Sequence, residues 1–121
     1  LPGAFTPTCS AVHLPGFIKL TDQLKEKNIK KVICISVNDP FVMDAWGKIH
    51  NVKDKILMVG DSKGDFTKNI GAQLNLSNRG LEIRSSRYAM LVEKGNVLKI
   101  FEEKVAGKCE ITTAENFLKE I

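Results

Sequence analysis

The chain has 121 residues, 43% of them hydrophobic and 26% charged, which is enough to close one domain around a single core. Its net charge of +4 comes from 18 basic and 14 acidic residues that alternate along the chain, with neither a basic block nor interleaved aromatics, which argues against nucleic acid or a membrane surface as a partner. No apolar run approaches the length of a membrane span, and the three cysteines include no Cys-x-x-Cys, which disfavours a disulfide scaffold or a zinc knuckle and suits a reducing compartment.

Residues 2–7 read as a loop, and Thr8-Cys9-Ser10 lead into a helical pattern running to about Lys27, with a kink expected at Pro15-Gly16 and an apolar stripe at Phe17, Leu20 and Leu24. Residues 31–37 (KVICISV) are apolar on both faces, the pattern of a buried central strand. Asp39-Pro40 is an N-cap followed by proline at the first helical position, so residues 41–50 should be helical. Residues 56–59 (ILMV) form a second short buried strand closed by Gly60-Asp61, and residues 63–72 a shorter helix. Residues 74–86 lack a clear period and read as loop with a turn at Asn78-Arg79-Gly80. Residues 88–92 and 97–101 then read as strands of a hairpin joined through Lys94-Gly95-Asn96. Thr112-Thr113-Ala114-Glu115 is a capping box opening a last helix that carries Phe117, Leu118 and Ile121.

This order implies an α/β sandwich in which crossovers build a parallel part and the hairpin adds an antiparallel edge, a mixed central sheet flanked by helices. Residues 1–121 are expected to be one domain. The chain opens on Leu1, directly on a turn, so the Pro2 loop is expected to be fed by a strand upstream of it, with the natural N-terminal segment lying outside this sequence.

The segment that carries chemistry is Pro2-Gly3-Ala4-Phe5-Thr6-Pro7-Thr8-Cys9, which places a hydroxyl three residues before a thiol where a loop becomes a helix. A free cysteine ionises near about 8.5, so a nucleophile at neutral pH needs its thiolate stabilised, and a helix start supplies unpaired N–H groups and the positive dipole end. Thr6 can hold a hydrogen bond to the thiolate or to a peroxide oxygen beside it, while Pro2 shapes the loop without offering a competing N–H. An O–O bond under attack develops negative charge on its leaving oxygen and calls for a fixed cation, for which Arg87, entering the strand at 88–92, is the candidate.

At these residues the chain resembles the peroxiredoxins. Pro-x-x-x-Thr-x-x-Cys, here Pro2, Thr6 and Cys9, is similar to their active-site motif, and PGAFTPTCS followed by HLPGF resembles the type II, peroxiredoxin-5-like branch. The likeness continues through CISVNDPFVMDAW from Cys34 to Trp46 and RSSRYAMLVE from Arg84 to Glu93. It implies a thioredoxin-like fold and reduction of hydrogen peroxide or organic hydroperoxides. Cys9 matches the peroxidatic cysteine, Thr6 and Pro2 the motif positions, and Arg87 the active-site arginine; Arg84 lies three residues earlier, but the family arginine immediately precedes the aromatic that opens the strand, here Tyr88. The implied reaction is displacement by the Cys9 thiolate, leaving a sulfenic acid, without metal or organic cofactor. A thiol-based peroxide sensor or chaperone-like redox switch is the alternative use of the same chemistry. A thioredoxin-type oxidoreductase is disfavoured, because Thr6-x-x-Cys9 stands where Cys-x-x-Cys would be.

Two residues are candidates for resolving that sulfenic acid. Cys34 reads as an inert filler of the strand at 31–37, yet its separation of 25 residues from Cys9 matches plant-type members in which the second cysteine is assigned as resolving. Cys109 lies in the loop before the last helix, about where atypical two-cysteine relatives place theirs. An external thiol, glutathione with or without glutaredoxin, or thioredoxin, is the third route. His13 follows Cys9 by four residues on the same helical face; lacking the partners of a protease dyad or a zinc site, it is expected to pack or to hydrogen-bond. His50 is expected to cap the helix at 41–50, and Phe5, Phe41 and Trp46 to serve the core or a homodimer interface near the active-site loops, as type II dimers do. The resemblance places such proteins in the cytoplasm, or in an organelle if a targeting segment preceded Leu1.

Overall fold

The structure, a computed structural model, describes every residue from Leu1 to Ile121. A π-helical turn, Cys9–His13, runs into α1 (Leu14–Lys19), and a break at Leu20 separates it from α2 (Thr21–Glu26). The expected kink is therefore resolved differently from a bend at Pro15-Gly16. Pro15 has no N–H for the carbonyl four residues back, and the chain widens before it, with the Leu14 N–H closing onto Cys9 O.

Strand β1 (Ile33–Ser36) pairs in parallel with β2 (Leu57–Gly60), and α3 (Pro40–Ile49) forms the crossover between them. As read from sequence, Asp39 caps α3, its Oδ1 accepting from the Val42 N–H at 2.8 Å, with Pro40 in the first turn. Gly60 lets the strand end pass under this cap: a Cβ there would lie 2.6 Å from Asn38 O and 2.9 Å from Pro40 N, both backbone atoms that cannot yield. Helix α4 is shorter than expected, Asp65–Asn69, and is opened by Asp61, whose carboxylate accepts from the N–H groups of Phe66 and Thr67 and from the Thr67 hydroxyl.

The segment expected as loop contains two strands, β3 (Gln73–Asn75) and β4 (Ile83–Ser85), paired antiparallel around a single 3-10 turn at Ser77–Arg79. Strands of three residues with one side exposed leave no alternation long enough to read. The hairpin of β5 (Tyr88–Glu93) and β6 (Asn96–Glu102) is as expected, with Glu93 opposite Asn96. Its two-residue turn uses positive φ at Lys94 (50°) and Gly95 (81°), matching the twist of the strands. Helix α5 (Ala114–Glu120) is capped one residue later than the capping box predicts: the Thr113 hydroxyl accepts from the Asn116 N–H, while Thr112 turns inward.

Parallel and antiparallel pairs flanked by helices make the expected α/β arrangement of a thioredoxin-like fold. One buried cluster joins Cys9, Leu14, Cys34, Met43, Trp46, Val52 and Ile56. A second, around Leu24, Ala89 and Phe117, packs α2 and α5 against β5, and Phe17 and Val32 touch both. No helix is long and apolar enough to cross a membrane.

Candidate active site

Cys9 sits at the start of the helical winding with no exposed surface. The first bond of that winding is the Ser10 N–H on Thr6 O at 3.0 Å, so the amides of Thr8 and Cys9 make no backbone bond and lie at the free, positive end. The preceding loop is held by specific bonds. Asn38 Oδ1 accepts from the Ala4 N–H (3.0 Å) and the Ser36 hydroxyl (2.6 Å), tying residues 2–5 to the end of β1. Phe5 adopts φ 63°, a left-handed conformation that is strained for a phenylalanine and turns the chain back toward Cys9. Pro2 is buried within this loop.

Thr6 Oγ1 donates to Gly3 O at 2.6 Å. Because a carbonyl can only accept, the hydroxyl hydrogen is committed and Thr6 has only lone pairs left to offer. Of the two roles expected for Thr6, donation to a thiolate is therefore taken up elsewhere, and acceptance from a protonated oxygen remains.

Arg87 is 2% exposed and reaches Cys9 from the open end of the β5–β6 hairpin. Its Nη1 donates to Cys9 Sγ at 3.3 Å and lies 3.2 Å from His13 Nδ1, while Nε donates to Lys108 O and Nη2 to Ala106 O, both at 3.0 Å. Four of the five guanidinium N–H groups thus have partners, and the plane of the cation is set. The loop that supplies the two carbonyls is itself clamped. Glu103, opposite Arg87 in the hairpin, accepts at one oxygen from the N–H groups of Glu110 and Thr112 and from the Thr112 hydroxyl, at 2.8–2.9 Å. Burial pushes the Glu103 carboxyl up, but these bonds outweigh it and hold it below its ordinary value. Thr8 Oγ1 adds a bond from the helix start to Gly107 O (2.9 Å).

Glu103 and Asn38 are the supporting residues that sequence reading missed. A polar residue just past a strand end was the available signal for Asn38; Glu103 sits among alternating charges and carried none. Arg84 is near too, its Nη1 lying 2.9 Å from where a Cβ on Gly3 would stand, but it faces the Pro2 loop and makes no bond to Cys9.

His13 is buried, with its ring edge against Phe17 at 5.6 Å. Burial above all, with the Arg87 guanidinium beside it, lowers its pKa to about 3, against a backbone hydrogen bond with Thr112. The other cysteines are apart from this arrangement. Cys34 lies in β1 within the core, its thiol pushed up to about 12 by burial. Cys109 is half-buried, 3.5 Å from the Thr112 hydroxyl, and raised by burial. All three cysteines are free. Trp46 is wholly buried, its Nε1 donating to Ser10 Oγ (3.1 Å), and His50 ends α3 with its ring 5.6 Å from the indole. Phe5 and Phe41 are exposed.

The chain matches the Redoxin family over residues 1–118. It is 45% identical over 119 residues to Peroxiredoxin-2D of Arabidopsis thaliana, covering 98% of this chain and 73% of that one. Among solved structures, reduced Prx3 of Vibrio vulnificus in complex with hydrogen peroxide superposes with a TM-score of 0.92 at 43% identity, over 99% of this chain and 74% of that one. The Plasmodium falciparum antioxidant protein, a 1-Cys peroxiredoxin, superposes with a TM-score of 0.93 at 34% identity, over 100% of this chain and 73% of that one. With likeness of this depth along nearly its whole length, the chain belongs to the peroxiredoxin family, thiol-dependent peroxidases built on the thioredoxin-like redoxin fold.

Proposed function

We propose that the chain is a type II, peroxiredoxin-5-like member that reduces hydrogen peroxide and organic hydroperoxides in antioxidant defence, with Cys9 as its peroxidatic residue. The observation that carries this reading is the Arg87 Nη1 donor 3.3 Å from a fully buried Cys9 Sγ. This cation, in a water-poor site, faces the place where charge develops on a departing oxygen. Thr6, able only to accept, orients the peroxide by taking its O–H, and Pro2 keeps the loop closed around it. In the capture step an S–O bond forms and the O–O bond breaks. Sulfur loses two electrons to the peroxide, the distal oxygen leaves as hydroxide or alkoxide and takes a proton to give water or alcohol, and Cys9 becomes a sulfenic acid.

For the return to thiol we assign an external thiol, glutathione with glutaredoxin or thioredoxin. Cys34 is locked in the core with its thiol pushed up to about 12, and Cys109 is bonded to Thr112 with its thiol also raised. Intact mass after one equivalent of peroxide checks this: one added oxygen is expected, whereas loss of two hydrogens would mean an internal disulfide and overturn it. Exposed Phe5 and Phe41 suit a homodimer contact beside the active-site loop. Three free thiols suit a reducing compartment, the cytoplasm or an organelle.

The peroxidase assignment is tested by Cys9→Ser. Peroxide consumption should disappear from a protein whose circular dichroism is unchanged; a variant that still consumes peroxide at the wild-type rate would contradict it.

A further inference from the structure

Of the arginines, the capture step uses only Arg87; Arg79 and Arg84 have no task in it, yet both lie against the loops that frame Cys9. Arg84, half-buried on β4, sets its Nη1 2.9 Å from the point where a Cβ on Gly3 would stand, and Thr6 Cγ2 is 3.2 Å from the same point. Arg79, exposed on the 3-10 turn between β3 and β4, brings Nη2 and Nη1 to 3.7 and 3.8 Å from the corresponding point on Gly107, whose carbonyl accepts from the Thr8 hydroxyl. The pair therefore stands on either side of Thr6-Pro7-Thr8, the stretch that leads into Cys9. Neither guanidinium makes a hydrogen bond or an ion pair: the ion pairs of the chain are Lys48 with Asp44 and Lys108 with Glu110. The acids of the adjoining loop are engaged, Glu110 with Lys108 and Glu103 with the N–H groups it clamps. A half-buried guanidinium with no acceptor has lost part of its hydration without replacing it, and its planar fork is completed best by the two oxygens of a carboxylate.

We propose that Arg79 and Arg84 form a carboxylate-binding rim beside Cys9, which selects carboxylate-bearing reactants over neutral ones of the same shape. This rests on the peroxidase reading above and deepens it. In the capture step the substituent of a hydroperoxide is carried by the leaving oxygen, which faces Arg87. Arg87 is bonded to Ala106 O and Lys108 O, and Gly107 between them is the residue Arg79 lies against, so the substituent emerges beside Arg79. Phe5 and Val105, both more than half exposed on the two framing loops, offer the body of such a molecule an apolar surface. A thiol that reduces the Cys9 sulfenic acid crosses the same rim. Its sulfur attacks the Cys9 sulfur, the S–O bond breaks, and the departing hydroxide takes the thiol's proton and leaves as water, forming a mixed disulfide. The carboxylate recognised is thus that of a hydroperoxide acid or that of an acidic thiol.

The test uses the full chain and two matched pairs of probes. Cumene hydroperoxide bearing a para-carboxylate and its methyl ester report capture by stopped flow; glutathione and its diethyl ester report reduction of the Cys9 sulfenic acid. The ratio of carboxylate to ester rates is read, so a general change in Cys9 reactivity cancels. Wild type should prefer the carboxylate about 5- to 20-fold in at least one pair, less as salt is raised. That ratio should fall in Arg79→Gln and in Arg84→Gln and invert in Arg79→Glu. Arg79 is on the surface, so its variants serve even if Arg84→Gln does not fold. Lys94→Gln removes the same charge at the closed end of the β5–β6 hairpin and should keep the wild-type ratio. A selective loss in the hydroperoxide pair identifies a substrate subsite, and one in the thiol pair a reductant subsite. Wild-type ratios near one in both pairs, ratios unmoved by either arginine variant, or an equal loss in Lys94→Gln would each overturn the proposal. A wild-type protein that ignores hydrogen peroxide as well would instead overturn the peroxidase reading, a separate and distinguishable result.

Discussion

Cys9 and Cys34 share one buried cluster, and neither exposes more than 8% of its surface, yet their surroundings are opposite. Around Cys34, on β1, no guanidinium faces the sulfur, and burial pushes the thiol up to about 12. Around Cys9 are free helix-start amides and a guanidinium at 3.3 Å. Burial by itself does not decide whether a thiol is inert; the groups facing the sulfur do. Arg87, with its two loop carbonyls, Glu103 behind the loop and His13 beside it, is what separates the two environments.

The largest effect expected from breaking that contrast is at Arg87. Arg87→Lys keeps the charge, but an ammonium cannot span Cys9, His13 and two carbonyls at once, so the stopped-flow peroxide rate should fall about 10²- to 10³-fold. A rate within a few-fold of wild type would mean that net charge, not the oriented fork, distinguishes Cys9 from Cys34.

A second difference concerns acid. The folded protein keeps His13 neutral down to about 3, whereas in the unfolded chain it titrates near about 6.5. Between these values the unfolded state binds a proton that the native state refuses. The native state is therefore fully favoured above the unfolded value and loses stability as pH falls toward 3, at up to about 1.4 kcal/mol per pH unit. Urea midpoints measured from pH 7 to pH 4 should fall more steeply for wild type than for His13→Asn, and parallel profiles would contradict a neutral, buried imidazole in the Cys9 region. The smallest effect belongs to β1: Cys34→Ala should cost about 1 kcal/mol of stability by urea unfolding and leave peroxide capture at the wild-type rate. A slowed capture in that variant would give Cys34 a part in the reaction that its surroundings deny it.

What sequence could reveal followed the reach of each interaction. Local features were legible: the Asp39-Pro40 cap, the Lys94-Gly95 turn, and the Pro2, Thr6, Cys9 spacing at a helix start all depend on neighbours a few residues away. Arg87 was legible through its place before Tyr88. The remainder is long-range or carried by backbone atoms. Ala106 and Lys108 hold Arg87 through carbonyls, which every residue type possesses. Thr112 looked like a helix cap because the capping-box pattern contains it, but Glu103 competes for its N–H and hydroxyl and wins, moving the cap to Thr113. Thr6 was open to two roles until Gly3 O was seen to take its hydrogen. The β3–β4 pair, at three residues a strand, is held by neighbours in space and left no period to follow.

The central claim, that oriented donors and not burial select one thiol of three, is tested most directly by mapping oxidation to residues. The reduced protein would be treated with less than one equivalent of hydrogen peroxide in the presence of dimedone, which traps sulfenic acid, and digested for mass spectrometry. The account predicts the adduct on Cys9, with Cys34 and Cys109 unmodified, and its loss in Arg87→Lys under the same brief exposure. An adduct that forms first on Cys34 or Cys109, or on Cys9 equally fast without the arginine, would contradict it.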